Sequence, residues 1–327
     1  ASMPRTAASG CYTVPAMHFA ARTAELVHSP IGAAHALLPL RTNERALLDL
    51  SQAAPSFPPA PALVGAIQRA AGRPEVSRYA PQPGVPELRE AFAADLSDDY
   101  AASIDPGNVL ITAGCNQAFC IVASALAEPG DSVVLVSPFY FNHDMWLRVE
   151  GVAVRHLAAG ADAIPDVALL APLVDDRTRA VVLVSPGNPT GVTIPPAVIH
   201  AFALECRRLG LVLIVDETYR TYRGFEEPAH NLFADPDWTD HVASLHSFSK
   251  DLAIPGYRVG AVVGGTALLT EALKLLDCVA ISAPRIGQEA AIVGLREARA
   301  WRDAQVRRIG KLQTQFCLLY TSPSPRD

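Results

Sequence analysis

A lysine and an arginine stand eight residues apart in the segment SFSKDLAIPGYRVG, residues 247–260. The chain holds only three lysines, Lys250, Lys274 and Lys311, although Lys and Arg together number 27. Arginine carries nearly all the positive charge, so a lysine is informative where arginine cannot substitute, in chemistry that needs a deprotonated amine. Lys274 in TEALKLLDC and Lys311 in RRIGKLQTQ sit at helical spacing beside charged neighbours, which suits solvated helix faces. Lys250 lies in a Ser-rich, aromatic stretch punctuated by Gly and Pro, without an amphipathic period, and is the candidate for amine chemistry.

Other reactive types recur at comparable places. Asp216 ends the apolar run LVLIV and should enter a site partly desolvated, where a carboxylate needs a cationic partner. Ala113-Gly114-Cys115-Asn116 joins an apolar run to a helical one, so its free amides and the helix dipole can hold an anion such as phosphate. Singly, each feature has an ordinary explanation. Asp216 would serve as a helix cap or ion-pair member, Asn188 in NPTG as a turn residue, and Tyr140 and Tyr219 as core aromatics. Together they supply a lysine for an imine, an acid for a ring nitrogen, an anion cradle, an aromatic plate and an arginine, a set that suits pyridoxal phosphate.

The elements that must position these residues are legible from about residue 108. NVLIT, DSVVLVS, AVRHLA, RAVVLVS, LVLIVDE, HVASLHS and RVGAVVG read as short apolar strands. AGCNQAFCIVASALA, FYFNHDMWLRVEG, PPAVIHAFALECRRLG and TALLTEALKLLDC read as helices between or after them. This alternation predicts an α/β fold with a mostly parallel sheet covered on both faces, three layers in all, whose ligands sit beyond the carboxyl ends of the strands. TAGCNQ, SPFY, SPGNPTG, DETYRTY and SFSK each follow a strand, as one site at one sheet edge requires. Upstream, LLDLSQAAPSFPPAPALVGAIQRAA reads as a short strand, a Pro-rich turn and a helix.

Bulk properties narrow the function classes. A chain of 327 residues that is 50% hydrophobic can bury a substantial core. Its net charge of −6 supplies no basic field for nucleic acid or an anionic membrane. No apolar run approaches a membrane span and no secretory pattern heads the chain, so the expectation is a cytoplasmic protein. The six cysteines show no paired CxxC spacing, and the nine histidines form no ligand cluster, which leaves metal with little support.

With these residues in view, the chain resembles the class I/II aminotransferases, the fold-type I family of pyridoxal-phosphate enzymes. SPGNPTG, DETYRTY and SFSKDLAIPGYRVG occur in that family's order and spacing, YAPQPGVPELREAFA at 79–93 is similar to its Y-x-x-x-x-G-x-x-x-L-R segment, and the match runs from about 48 to 316. The resemblance implies that Lys250 is the Schiff-base lysine and proton shuttle and that Asp216 pairs with the pyridine nitrogen. It implies that Tyr219 and Asn188 bond the ring hydroxyl oxygen, with Asn188 also near the substrate carboxylate, and that Tyr140 stacks on the ring. The phosphate would lie against the Gly114, Cys115 and Asn116 amides, Ser247 and Arg258, with Tyr79 reaching it from the second subunit of a homodimer and Ser249 shaping the turn or touching the phosphate. The substrates implied are an amino acid and a 2-oxo acid.

The resemblance also divides the chain: 1–45 as an N-terminal segment of the small domain, 46–290 as the large cofactor-binding domain, and 291–316 as the start of an incomplete small domain. Residues 317–327, CLLYTSPSPRD, lack the Ala/Arg/Val style of the body and are expected to be foreign to it. Relatives continue for about a further half-domain that supplies an arginine for the substrate carboxylate; Arg285 is a weak stand-in, and the truncation puts turnover by this chain in question. Ala53 replaces a glycine common in relatives. SFSK also satisfies S-x-x-K, but neither SDN nor KTG accompanies it, against a β-lactamase-like enzyme. A lyase or decarboxylase of the same fold, a cofactor-sensing regulator and an inert fragment are the other readings.

Overall fold

The computed structural model describes residues 17–24, 26–42, 44–223 and 228–321. Of the expected N-terminal segment and tail, 1–16 and 322–327 lie outside the described residues. Among the described residues, seven strands form one sheet: β1 (Val109–Thr112), β2 (Ser132–Ser137), β3 (Ala153–Ala158), β4 (Thr178–Val184), β5 (Val212–Asp216), β6 (Val242–Ser247) and β7 (Gly260–Gly264). Their order is β1-β7-β6-β5-β4-β2-β3. All neighbours are parallel except the pairs β7 makes with β1 and β6.

Among the described residues, ten α-helices accompany the sheet: α1 (Ala21–Ala24), α2 (Pro30–His35), α3 (Pro61–Ala71), α4 (Pro86–Tyr100), α5 (Cys115–Leu126), α6 (Phe141–Val149), α7 (Pro196–Leu209), α8 (Thr266–Ala280), α9 (Arg285–Glu297) and α10 (Arg299–Thr321). Proline opens α3, α4 and α7, where its missing N–H has no acceptor to lose.

Alternation along the strands builds two separate cores. Ile111, Val134, Val181, Leu183, Leu213, Val215 and Val263 face α3, α4, α7 and α9. Leu110, Val133, Leu135, Val182, Ile214, Leu245 and Val262 face α5, α6 and α8. Successive side chains on a strand point to opposite faces, so a continuous apolar run satisfies both layers at once. The three-layer αβα arrangement follows, as the strand-helix alternation predicts.

One local expectation fails. The run LLDL at 47–50 forms no strand. Leu48 and Leu50 are 84% and 90% exposed, and no strand among the described residues pairs with them to supply a ladder. An apolar run without a partner edge has no source of β hydrogen bonds. Among the described residues, no helix is long and apolar enough to cross a membrane, and no group of three or more His, Cys, Asp or Glu side chains is placed to hold a metal.

Candidate active site

The direction of β7 explains why one sheet edge gathers the reactive residues. β1, β2, β4, β5 and β6 all point their carboxyl ends to the same edge, delivering Gly114–Asn116, Tyr140, Asn188, Asp216 and Ser247 to Lys250. β7 runs the other way, so its amino end arrives there and brings Arg258, two residues before Gly260. A cavity of about 470 Å³ opens at this edge and is lined by Cys115, Asn116, Tyr140, Asn188, Asp216, Tyr219, Ser247, Ser249, Lys250 and Arg258.

Lys250 reaches the cavity from a loop whose other face is anchored. Its Nζ donates to the Ala53 carbonyl at 2.6 Å and lies 5.9 Å from the Tyr219 ring centre. Its own carbonyl accepts from the Tyr222 hydroxyl at 2.9 Å. Partial burial, and then the Arg258 charge, push the Lys250 amine below the ordinary lysine range. A larger share of it is therefore unprotonated at neutral pH, the state that can attack a carbonyl carbon or take a proton.

Asp216 is buried at the end of β5, 4% exposed. Its Oδ1 accepts from the Thr218 amide at 3.0 Å, and its Oδ2 lies 3.2 Å from His143 Nε2. Burial favours the neutral acid, yet the His143 and Thr218 contacts outweigh it and hold the carboxyl below the usual carboxylate range. His143 was not singled out in the sequence. Its signal was indirect, since a buried carboxylate requires a partner and FYFNHDMW places a histidine one helical turn beyond Tyr140. His143 is 2% exposed and stacks on Phe119, with ring centres 4.0 Å apart. Burial and then Asp216 drive the Cys115 thiol, 3.6 Å from Asp216 Oδ1, well up, which keeps it neutral.

The anion side of the cavity is built on a glycine. Gly114 has φ +87°, precedes α5, and sits against Arg258: a Cβ there would come within 2.4 Å of Nη2. Arg258 donates from Nη1 to the Pro255 carbonyl at 2.9 Å and from Nη2 to the Ala113 carbonyl at 3.4 Å, which fixes its fork beside the α5 amino end. Gly114→Ala is therefore expected to cost about 1–3 kcal/mol of stability through backbone strain and to displace the guanidinium. A lowered thermal midpoint together with weakened binding of inorganic phosphate checks this; unchanged phosphate binding would separate the glycine from the cradle.

Tyr140 donates to Asn116 Oδ1 at 3.3 Å and accepts from Asn142 at 2.9 Å, which sets its ring over the cavity wall. Burial and then Asp216 push the Tyr219 phenol up to about 12, so it is a proton donor throughout the neutral range. The short helix α2 also borders the cavity through Pro30, Ile31 and Ala34, a contribution with no signal in the Ala-rich start of the chain. Tyr79 is 74% exposed and does not line the cavity; Arg285 pairs with Glu289 at 3.4 Å and does not line it either.

A mixed seven-stranded sheet in an αβα sandwich, with a lysine loop and a buried aspartate at the carboxyl edge, is the architecture of the fold-type I pyridoxal-phosphate enzymes. The sequence pattern described as Aminotransferase class I and II matches residues 45–321, and the chain belongs to that family, whose members depend on pyridoxal phosphate. It is 32% identical to an aromatic aminotransferase of Arabidopsis thaliana over 73% of this chain, and spans 61% of that protein's length. It is 33% identical to an arginine–pyruvate transaminase of Pseudomonas aeruginosa over 84% of this chain and 70% of the other. A solved aspartate aminotransferase from Thermus thermophilus, in complex with maleate, superposes with a TM-score of 0.81 at 26% identity, covering 89% of this chain and 76% of that one.

Proposed function

We propose that this protein is an aminotransferase that moves an amino group between an amino acid and a 2-oxo acid, with pyridoxal phosphate attached at Lys250. The observation that carries the reading is the meeting, in one cavity, of a lysine amine with a lowered pKa, a buried ionised Asp216 and Arg258 beside a helix amino end. These residues fit the cofactor: the amine suits its aldehyde, the carboxylate its ring nitrogen, and the part of the cavity lined by Asn116, Ser247 and Arg258 at the α5 amino end suits its phosphate.

When bound, pyridoxal phosphate supplies an aldehyde that condenses with amines and a ring that accepts electrons from the bond broken at the amino acid Cα. Lys250 Nζ would hold the group between turnovers and, once displaced by the substrate amine, take the α-proton and return it. Asp216 would keep the ring nitrogen protonated, with His143 holding the carboxylate ionised. Tyr219 and Asn188 would bond the ring hydroxyl oxygen, and Tyr140 would cover one ring face. Gly114, Cys115, Asn116, Ser247 and Arg258 would hold the phosphate, helped by Tyr79 from a second copy of the chain in a cytoplasmic homodimer. The high exposure of Tyr79 in a single chain supports that last role.

Aminotransfer is preferred to elimination or decarboxylation because the relatives carry aminotransferase and transaminase names. Those names differ in amino donor, so the donor is left to a screen. The purified chain, loaded with pyridoxal phosphate, is offered single amino acids without an acceptor and then with a panel of 2-oxo acids. The expected result is one equivalent of 2-oxo acid per bound cofactor in the first case and repeated turnover in the second. Release of ammonia or CO₂ that ignores the acceptor would instead indicate a lyase or decarboxylase.

A further inference from the structure

Behind the Lys250 loop lies a set of buried charges that the chemistry at the front does not use. Arg302 on α10 is 2% exposed and donates from Nη2 to Asp95 Oδ1 at 3.4 Å. The other oxygen of Asp95 accepts from Arg220, which also donates to Asp99. Arg302 Nη1 lies 3.7 Å from Asp251 Oδ2. Asp251 directly follows Lys250, and Arg220 directly follows Tyr219. One carboxylate, Asp95, thus sits between two arginines, each tied to a segment that presents a residue to the cavity.

Asp95 is held ionised, whereas burial raises the Asp251 carboxyl above its ordinary range. Against burial that would raise it, Arg220 and Arg302 hold the Asp95 carboxyl down at about 2. Asp251 is buried and its Oδ1, like Arg302 Nη1, has no hydrogen-bond partner among the described residues. A buried ion cluster is a poor source of stability compared with apolar packing of the same volume, but removing one member leaves an uncompensated charge, so the cluster enforces one arrangement. Apolar contact reinforces it, since Leu252 is fully buried against α9, where a Cβ on Gly294 would come within 2.4 Å of it.

The helix that carries Arg302 also reaches the front of the loop. Val306, Ile309 and Gly310 line a cavity of about 450 Å³ together with Lys250, Tyr219 and Asn188. Positions 302, 306, 309 and 310 recur at helical spacing on one face of α10. The same face therefore meets the lysine segment at Asp251 and walls the cavity on which Lys250 opens.

We propose that Arg302 is a positioning residue for Lys250: by facing Asp251 while sharing Asp95 with Arg220, it fixes the Lys250 and Tyr219 segments in one register and makes that register depend on the docking of α10. The inference rests on the reading of Lys250 as the cofactor-bearing lysine. Its consequence is measurable at the amine. The groups facing Lys250 are the Ala53 carbonyl, Tyr219, Tyr222, Asp216 across the cavity and Arg258; burial and Arg258 together lower its pKa. A loosened loop lets the amine move toward water, and its pKa rises.

The test follows attachment of pyridoxal phosphate to the full chain by absorbance across pH, with borohydride trapping at Lys250, for the parent, Arg302→Met and Arg302→Lys. Far-UV circular dichroism reports folding. For Arg302→Met the expected result is attachment about ten- to a hundredfold slower at neutral pH, the scale set by misplacing a reacting group by about 1 Å, with the pH midpoint moved up toward that of a free lysine. Lysine at 302 keeps the charge but cannot span two carboxylates, so it should restore folding if methionine abolishes it, while leaving a slower rate and a raised midpoint. Parent rate and midpoint in either folded variant overturn the inference alone. Failure of the parent to attach the cofactor at Lys250 overturns both this inference and the functional reading beneath it.

Discussion

Lys250→Ala is expected to remove borohydride-trappable cofactor and to lower aminotransfer by at least about 10⁴-fold, the upper range for loss of a positioned acid–base group. The amine is asked to do two things that no neighbour can do. It must carry the cofactor covalently, and it must move a proton at the substrate Cα, so its loss removes attachment and proton transfer together. Arginine at 250 should fare no better, because its guanidinium stays protonated in any accessible pH range. The two variants differ in a useful way. Arg258, Ser247 and the α5 amino end remain in both, so noncovalent cofactor binding is expected to persist in the alanine variant while the bulk and charge of arginine obstruct it. Mass analysis of the reduced peptide decides the point: label on the peptide containing Lys250 in the parent, and none in either variant. Label on Lys274 or Lys311, which lie on helices away from the cavity, would sink the assignment.

Lys250 stood out in the sequence by its residue type, and the structure places it on the cavity wall. In a chain that otherwise uses arginine, a lysine outside any amphipathic period signals amine chemistry, and the loop places that amine in the cavity. The sheet was legible for a related reason. Each apolar run had to feed two layers, so its length and its polar endings marked both the strand and the edge at which the site opens. The reversed direction of β7 was not legible. RVGAVVG has the same apolar character as its parallel neighbours, and only the pairing of Gly260 with Ser247 and Thr112 reveals the orientation that delivers Arg258. LLDL misled because composition reports apolarity but not whether a partner edge exists. Arg302 and Asp95 were invisible for a further reason: they are 207 residues apart, and each reads as an ordinary charged position on its own helix until folding buries both.

Asp216→Asn is the second change with a large expected effect, and it separates binding from catalysis. The substitution keeps shape and the Oδ1 acceptor for the Thr218 amide but removes the negative charge at the strand end. A lost charge in a water-poor site costs about 10²–10³-fold in kcat, and trapping of cofactor at Lys250 should survive because the amine and the anion cradle are untouched. The cost to folding is smaller. The new amide N–H₂ faces His143 Nε2, which can accept only if the ring proton moves to Nδ1, a buried atom with no partner among the described residues. That rearrangement costs about 1–3 kcal/mol, the range for one unsatisfied buried group. The pH dependence tests the role of His143 itself. In the parent the Asp216 pKa lies below its ordinary value, because His143 and Thr218 outweigh burial, so the carboxylate is ionised and contributes no acid limb to kcat near neutrality. His143→Phe removes the group that offsets burial, so burial then dominates, the pKa rises, and an acid limb should move up into the measured range. A His143→Phe profile that matches the parent would mean that Thr218 alone keeps Asp216 ionised. A kcat unchanged in Asp216→Asn would mean that the buried carboxylate is structural, and that the electron-accepting state of the ring is secured by some other group.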